Sequence, residues 1–491
     1  VPTVARKPLR IFLIAAEAVP FVKVGGLADV AGALPQALLK LPEKLIHHYK
    51  LDVRLCIPYY PQIKSIRTRF VTELYVQSTS RQVKLTCFET QVGGLTTYLL
   101  KSPVISRERT IYSSDVRQDG SKFILFSLAT LELLKRIDWK VDILHANDWH
   151  TAVALHQLVQ LRRRDPFFSR THSLITLHNL PYMGAGIDPI LDNYGISPSQ
   201  DPHLPTWART VPLPMGLAAA EKIVAVSKKY ASEIKTRQFG CGLEDFFRSS
   251  KKRLCGIKNG IDTSTWDPAN DPFLHHNYQI ISLTEKVRNK TFILNALGIT
   301  ADPVTPLLIF IGRMDQQKGV DMIPDVLTAL SGEKWNALIL GSGAPALEVA
   351  CKQLEVLFPT RVRVFTRFDT ELSHQLYAAG DILLMPSRYE PCGLSQMIAM
   401  RYGCIPVAAN TGGLHDTIQP LAKDPRGTGF LFQPSSRKAF LKGITCALVM
   451  YKDAKKWRRL QARAMAADNR WQRSAETYLA VYQELIRKDA G

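Results

Sequence analysis

Short runs of apolar, β-branched residues alternate with helical patterns along the whole chain. Residues 9–15 predict a strand and 27–41 a helix. Strand 141–145 is followed by helix 151–161, and 174–177 and 223–226 predict further strands. The second half repeats the pattern, with strands expected at 307–311, 337–340, 362–365, 382–385 and 405–408, each followed by a turn and a helical segment. Such alternation predicts an α/β fold with parallel sheets covered on both faces. About a dozen such units are too many for one open sheet, so two Rossmann-like doubly wound domains facing a deep cleft are expected. The boundary falls near 256–272, where Gly260-Ile261-Asp262, Asp267-Pro268 and Asp271-Pro272 are turn chemistry without a periodic face. That stretch reads as a connector with apolar anchors such as Trp266 and Phe273. The expected division is 1–258, 259–468 and a final helical segment, 469–491, whose pattern over 469–488 carries Trp471, Tyr478 and Tyr482.

Composition adds exclusions. Of 491 residues 46% are apolar and 22% charged, which argues against disorder, and a chain of this length needs no disulfide or metal staple. The densest apolar run, 123–134, is interrupted by Ser127, Thr130 and Glu132 and is too short to span a bilayer. No secretory h-region opens the chain, and because it does not begin with Met a removed targeting segment would leave no trace. Eight cysteines without a C-x-x-C pair argue against a zinc ribbon or a disulfide framework and for a reducing compartment. The net charge of +20 raises nucleic acid, anionic membrane or phosphorylated small molecules as partners. The tightest clusters, Arg162-Arg163-Arg164 and Lys455-Lys456-Trp457-Arg458-Arg459, sit in no nucleic-acid motif and read as solvated helix faces.

Chemistry concentrates in the turns after strands, where open α/β sheets bind ligands. After the first strand come Glu17, then Lys23-Val24-Gly25-Gly26, with Asp29 on the helix that starts there; glycine amides, a helix N-terminus and a lysine suit a phosphate. The strand at 307–311 leads into Gly312-Arg313-Met314-Asp315-Gln316-Gln317-Lys318-Gly319. Arg313 and Lys318 suit a diphosphate leaving group whose charge grows as its bond breaks. The strand at 382–385 leads into Ser387-Arg388-Tyr389-Glu390-Pro391-Cys392-Gly393-Leu394-Ser395, a carboxylate and backbone donors suited to sugar hydroxyls. In the first half, His145-Ala146-Asn147-Asp148-Trp149-His150 and His178-Asn179 both follow strands. Metal binding by His145, Asp148, His150 and His178 is the rival there, without an H-E-x-x-H or cysteine-rich companion.

Taken together and in order, these motifs resemble those of bacterial glycogen synthases and plant starch synthases of the ADP-glucose-using type, retaining glycosyltransferases of the GT-B fold. Lys23-Val24-Gly25-Gly26-Leu27-Ala28-Asp29-Val30, Asn147-Asp148-Trp149, His178-Asn179, Asn259-Gly260-Ile261-Asp262, Gly312-Arg313 with Lys318-Gly319, Glu390-Pro391-Cys392-Gly393-Leu394 and Thr411-Gly412-Gly413-Leu414 carry the likeness. The wording Gln396-Met397-Ile398-Ala399-Met400-Arg401-Tyr402-Gly403 is most similar to the cyanobacterial and soluble plant branch. The resemblance implies that Lys23, Gly25 and Gly26, with Arg313 and Lys318, hold the diphosphate, Phe368 stacks on adenine, and Ser395 keeps a hydroxyl at the helix start. It implies that Glu390, Cys392 and Gly393 hold glucose hydroxyls. Asp148, His178 and Asn179 would face glucose and acceptor, His178 supporting an oxocarbenium-like transition state. Glu17, Asp29, Asn259, Thr411 and Gly412 follow as further substrate-binding residues. The last helix would cross back onto the N-terminal domain, the acceptor domain, leaving 259–468 for the nucleotide sugar.

The expected reaction is glucose transfer from ADP-glucose to the non-reducing end of an α-1,4-glucan with retention, without metal or other cofactor. No nucleic-acid or membrane partner is expected, and the location is cytoplasmic, or the plastid stroma if a transit peptide was removed. A non-catalytic glucan-binding or priming protein on the same fold is the alternative, and it predicts a broken Lys/Arg/Glu set. An NAD(P) oxidoreductase would rest on Gly341-Ser342-Gly343, which lacks the third glycine of the fingerprint.

Overall fold

A computed structural model describes residues 7–46, 49–64, 66–107, 110–300 and 302–487. The first six residues, and Lys488 with the rest of the expected final segment, lie outside the described residues. The chain divides into two compact units, Val1–Asn259 with Trp471–Gly491, and Gly260–Arg470.

Among the described residues, unit 1 contains nine strands: β1 Lys7–Ile14, β2 Tyr49–Pro58, β3 Arg69–Gln77, β4 Gln82–Val92, β5 Leu95–Lys101, β6 Ile143–Asn147, β7 His172–Leu177, β8 Lys222–Ala225 and β9 Leu254–Gly256. They form one sheet in the order β3-β4-β5-β2-β1-β6-β7-β8-β9. Every pairing is parallel except those of β4 with β3 and β5. β1 lies centrally, with Leu13 opposite Leu55 on one side and His145 on the other. Strands buried on both faces explain the continuous apolar runs of β1 and β7.

The last helix, Trp471–Arg487, belongs to unit 1 and packs on the helix Gly26–Leu39. Its Trp471, Tyr478, Leu479, Tyr482 and Leu485 are buried. His145 ties it to the sheet: its ring nitrogens meet Tyr482 Oη and Thr176 Oγ1, each at 2.7 Å. Burial lowers His145 to about 3, so this ring is a neutral structural group.

Unit 2 carries β10 Leu307–Ile311, β11 Asn336–Leu340, β12 Val362–Phe365, β13 Ile382–Met385, β14 Ile405–Ala409 and β15 Phe430–Phe432. All pairings are parallel, in the order β12-β11-β10-β13-β14-β15. Strand order reverses between β10 and β13, the point at which doubly wound sheets open a crevice for ligands.

The stretch expected to be a connector is corrected. Leu254–Gly256 is a strand of unit 1, and residues from Gly260 onward are packed into unit 2. Trp266 stacks on His374 at 3.9 Å, and buried Asp271 accepts from His374 Nδ1 at 2.7 Å and from Tyr402 Oη. Turn residues there serve a folded surface that apolar periodicity does not report.

Candidate functional site

In unit 2 the loops after β10 and β13 are held backbone against backbone. Gly319 has φ +65°, and a Cβ there would sit 2.0 Å from the Pro386 carbonyl oxygen, so only glycine fits. Arg388 N–H donates to Gln317 O at 2.8 Å, and the Arg388 guanidinium grips Asp321 through two bonds of 2.7 and 2.8 Å. This clamp sets Lys318 Nζ 2.6 Å from Glu390 Oε2, which also accepts from Ser387 Oγ at 3.1 Å. Glu390 is buried, whereas Arg313 reaches outward, 54% exposed, with Asp315 at 3.2 Å and Gln317 at 3.3 Å.

A third loop closes on the second. Gly413 N–H donates to Glu390 O at 2.9 Å, and Cβ atoms on Gly412 and Gly413 would fall 2.0 and 1.9 Å from the carbonyl oxygens of Glu390 and Cys392. Thr411, buried, precedes the helix Gly412–Thr417. Gly393 has φ +71°, and Cys392 is buried beside it. Ser395, the first residue of the helix Ser395–Arg401, is hydrogen-bonded to the Tyr377 hydroxyl. Phe368, in the loop after β12, is 81% exposed, with its ring face open.

In unit 1 the strand order reverses at β1, between β2 and β6, and the loops after β1, β6 and β7 carry the remaining candidates. Glu17 is 1% exposed and accepts the N–H groups of Val24 and Gly25, the latter at 3.2 Å, together with the Tyr112 hydroxyl. The Gly25 amide, expected to meet a phosphate, is thus engaged by a carboxylate of its own unit. Gly26 begins the helix Gly26–Leu39. Lys23 Nζ stands 2.8 Å from Asp29 Oδ1. Burial pushes Glu17 up to about 7 against the pull of those donors.

Asp148 closes β6 with φ +52° and ψ −169°, a conformation that non-glycine residues hold only under tertiary constraint. The constraint is visible. Its N–H donates to Thr176 O at 3.0 Å and its Oδ1 accepts the His178 N–H at 2.7 Å, so the loops after β6 and β7 are fastened through one residue. Its carboxyl also accepts the Asn179 N–H, yet burial pushes it up to about 7, with the charge of Glu17 adding to the rise. His178 Nε2 lies 3.0 Å from Asn147 Oδ1. Asn147 Nδ2 donates to Ile14 O at 3.1 Å, which fixes the amide so that Nε2 is the donor and Nδ1 keeps its lone pair. Burial lowers His178 to about 3, so the ring is neutral near pH 7. Asn259, the last residue of this part of unit 1, is buried, and its Oδ1 has no hydrogen-bond partner among the described residues.

Sequence reasoning therefore names residues that unit 1 gathers around Glu17, Asp148 and His178, and residues that unit 2 gathers around Lys318 and Glu390. His145 and His150 are not part of such a grouping. His150 is buried among Trp149, Phe123 and Tyr112, with ring centroids 4.5–5.1 Å away. Among the described residues no group of three or more His, Cys, Asp or Glu stands where it could hold a metal ion. Asn147, Tyr112, Ser387 and the Arg388–Asp321 pair were missed. Asn147 and Ser387 lie inside motifs already picked out, but nothing in the sequence joins Tyr112 to Glu17.

Known proteins resemble this chain along nearly its whole length. Residues 10–249 match the starch synthase catalytic domain family, and residues 299–463 match the glycosyl transferases group 1 family. Glycogen synthase from Clostridium perfringens is 35% identical over 490 residues, covering 98% of this chain and 99% of the relative. Glycogen synthase from Bacillus cereus is 34% identical over 485 residues, covering 97% of this chain and 100% of the relative. Among solved structures, the catalytic domain of starch synthase IV from Arabidopsis thaliana, bound to ADP and acarbose, superposes with a TM-score of 0.89 at 31% identity, covering 98% of this chain and 100% of that one. Sucrose-phosphate synthase from Thermosynechococcus elongatus shares the fold at a TM-score of 0.62 and 18% identity, with 98% and 100% covered.

Proposed function

The chain belongs to the glycogen and starch synthase family of retaining glycosyltransferases, and on that premise we propose that it moves glucose from ADP-glucose to the non-reducing end of an α-1,4-glucan. The observation that carries this reading is the Lys318–Glu390 pair at the strand-order reversal of unit 2. A cation and a carboxylate share one point, with Arg313 exposed on the same loop. Lys318 and Arg313 are assigned to the diphosphate, where they oppose the charge that develops as the C1–O bond breaks. Glu390, with the backbone of Cys392 and Gly393, is assigned to the glucose hydroxyls, and Phe368 to the adenine face. The ADP bound in the starch synthase IV relative supports adenine over uracil.

In unit 1, Lys23 and Gly26 are assigned to phosphate, and Asp148, His178 and Asn179 to sugar. His178 acts there as a neutral dipole, since its proton is committed to Asn147. Retention follows a front-face course: the acceptor O4 bonds to C1 on the side the diphosphate leaves, and the acceptor proton passes to the departing phosphate oxygen. No metal takes part in this scheme, and an excess of EDTA is expected to leave activity intact. Complete loss on chelation, restored by one metal, would overturn that part.

The decisive assay is ADP or UDP release with each nucleotide sugar, with and without glycogen. ADP-glucose with glycogen should give the highest kcat/KM by at least about tenfold, the size of one well-placed recognition difference. A preference for UDP-glucose would redirect the donor assignment.

A further inference from the structure

Nearly half of the excess positive charge of this chain lies in one segment. Between Arg426 and Ala467 stand ten Lys or Arg residues and a single acid, Asp453, so +9 of the chain's +20 lies in these 42 residues. They form two helices of unit 2, Arg437–Tyr451 and Ala454–Ala466. The second helix contains five cations and no carboxylate, and its Trp457, Leu460, Ala464 and Met465 are buried, which turns the basic side to solvent. Lys455, Arg459 and Arg463 recur every four residues, one stripe with a rise of about 6 Å per step. Arg463 Nε donates to Gly427 O at 3.2 Å and so joins the stripe to the loop that bears Lys423 and Arg426.

Several charges of this region are answered. Arg437 pairs with Asp325 at 2.9 Å, Lys456 with Asp453 at 3.0 Å and Arg426 with Asp424 at 3.2 Å. Lys455, Arg458 and Arg459 are exposed and have no ion-pair partner among the described residues. Three adjacent unanswered cations on one turn and a half of helix repel each other, and an external anion removes that cost.

The geometry points to phosphate esters carried on the glucan itself as that anion. This rests on the reading of a glucan as acceptor. A lipid surface is disfavoured because the helix's apolar side is buried in unit 2 and has nothing to insert. A nucleic acid is disfavoured because the helix's one aromatic, Trp457, is buried and offers no base a stacking face. An acidic protein would want a desolvated aromatic or apolar anchor, and the exposed side of this helix has none. A polymer already engaged through its growing end needs no anchor. Its phosphates are presented at high effective concentration, so weak, solvated contacts with Lys455, Arg458 and Arg459 add up. The enzyme thereby favours phosphate-bearing chains over bare ones without any change at the reacting sugar.

The test uses one α-1,4-glucan prepared with phosphate monoesters and the same material after phosphatase treatment. Affinity electrophoresis in gels containing each polymer gives binding without turnover, and initial rates give KM. The wild-type chain is expected to bind the phosphorylated polymer about fivefold more tightly, and the preference should vanish in the triple variant Lys455→Ser, Arg458→Ser, Arg459→Ser. That variant should keep wild-type kcat and KM on neutral maltoheptaose, which separates this proposal from the acceptor reading: absence of transfer to any glucan by the wild type would sink the latter alone. Equal binding of the two polymers, or a preference that survives in the triple variant, would overturn the proposal. Should the variant fold poorly, salt decides with the wild type: the preference should disappear between about 50 and about 300 mM NaCl, where the Debye length falls below the spacing of the stripe, and a salt-independent preference would also overturn it.

Discussion

Glu17 and Asp148 are carboxyls that burial pushes up to about 7, well above their ordinary values. The folded chain therefore holds their protons more tightly than the unfolded one. The resulting stabilisation is complete below about pH 4 and is lost as pH rises through about 7, leaving buried charge above it. Glu17→Gln and Asp148→Asn remove the charge and keep a carbonyl oxygen. Each is expected to melt near the wild-type temperature at pH 5 and above it at pH 8, by an amount on the order of 2–4 kcal/mol, while activity falls. Thermal melts across pH 5–9 check this, and a difference that does not change with pH would refute it. Lys318 and Arg313 separate in the same way. Lys318→Ala and Arg313→Ala should each lower kcat roughly 10²–10³-fold. Arg313, exposed, should leave the melting temperature alone. Lys318→Ala strands the buried Glu390 carboxylate and should lower it, and a second change, Glu390→Gln, should recover stability without activity.

At the scale of elements, the three loops of unit 2 interlock through glycines. Gly413→Ala would drive a methyl into the Cys392 carbonyl and is expected to cost about 2–4 kcal/mol, with nucleotide binding weakened because the Glu390 loop shifts. Calorimetry and an ADP titration read the two effects together. Such close approaches explain which elements the sequence discloses. Strands β10 and β13 are read to the residue because central parallel strands are apolar throughout, and β12, at the sheet edge, because Val362, Val364 and Phe365 outweigh its one cation, Arg363. β2 to β5 are not seen. β3 and β4 alternate buried and exposed positions at the antiparallel margin of the sheet, as β4 does from Gln82 to Val92, and a search for continuous apolar runs passes over a period of two; β2 and β5 pair in parallel, but polar residues such as Lys50, Asp52 and Arg54, or Thr96 and Thr97, interrupt their apolar runs. Val116–Arg136 registers only as a dense apolar stretch, although it is a helix of 21 residues. Likewise the candidate site is disclosed where a short motif after one strand carries the groups, as for Arg313 with Lys318 after β10 and Glu390 after β13. It stays hidden where partners come from distant segments, as with Tyr112 on Glu17 or Tyr482 on His145.

For the whole molecule, the unequal continuity of the two units governs what can stand alone. Unit 2 is a single stretch, Gly260–Arg470, and unit 1 is made of two. Expressed by itself, 260–470 is expected to melt cooperatively, whereas 7–259 without Trp471–Arg487 loses the cover that Tyr478, Tyr482 and Leu485 give to the helix Gly26–Leu39 and His145 and should aggregate or bind a hydrophobic dye. Supplying a peptide of 471–487 should restore a sharp transition; persistence of a cooperative melt without it would contradict the assignment. The same continuity orders events on the ribosome. Residues of unit 1 emerge first, yet their sheet waits for the helix that seals His145 until all of unit 2 has been translated. At roughly 5–20 residues per second that delay is on the order of ten seconds or more, during which unit 2 can fold while the older half of the nascent chain keeps apolar surface open to chaperones. The part synthesised earliest is the part completed last, and a polypeptide interrupted anywhere before Trp471 displays itself to proteolysis as unfinished.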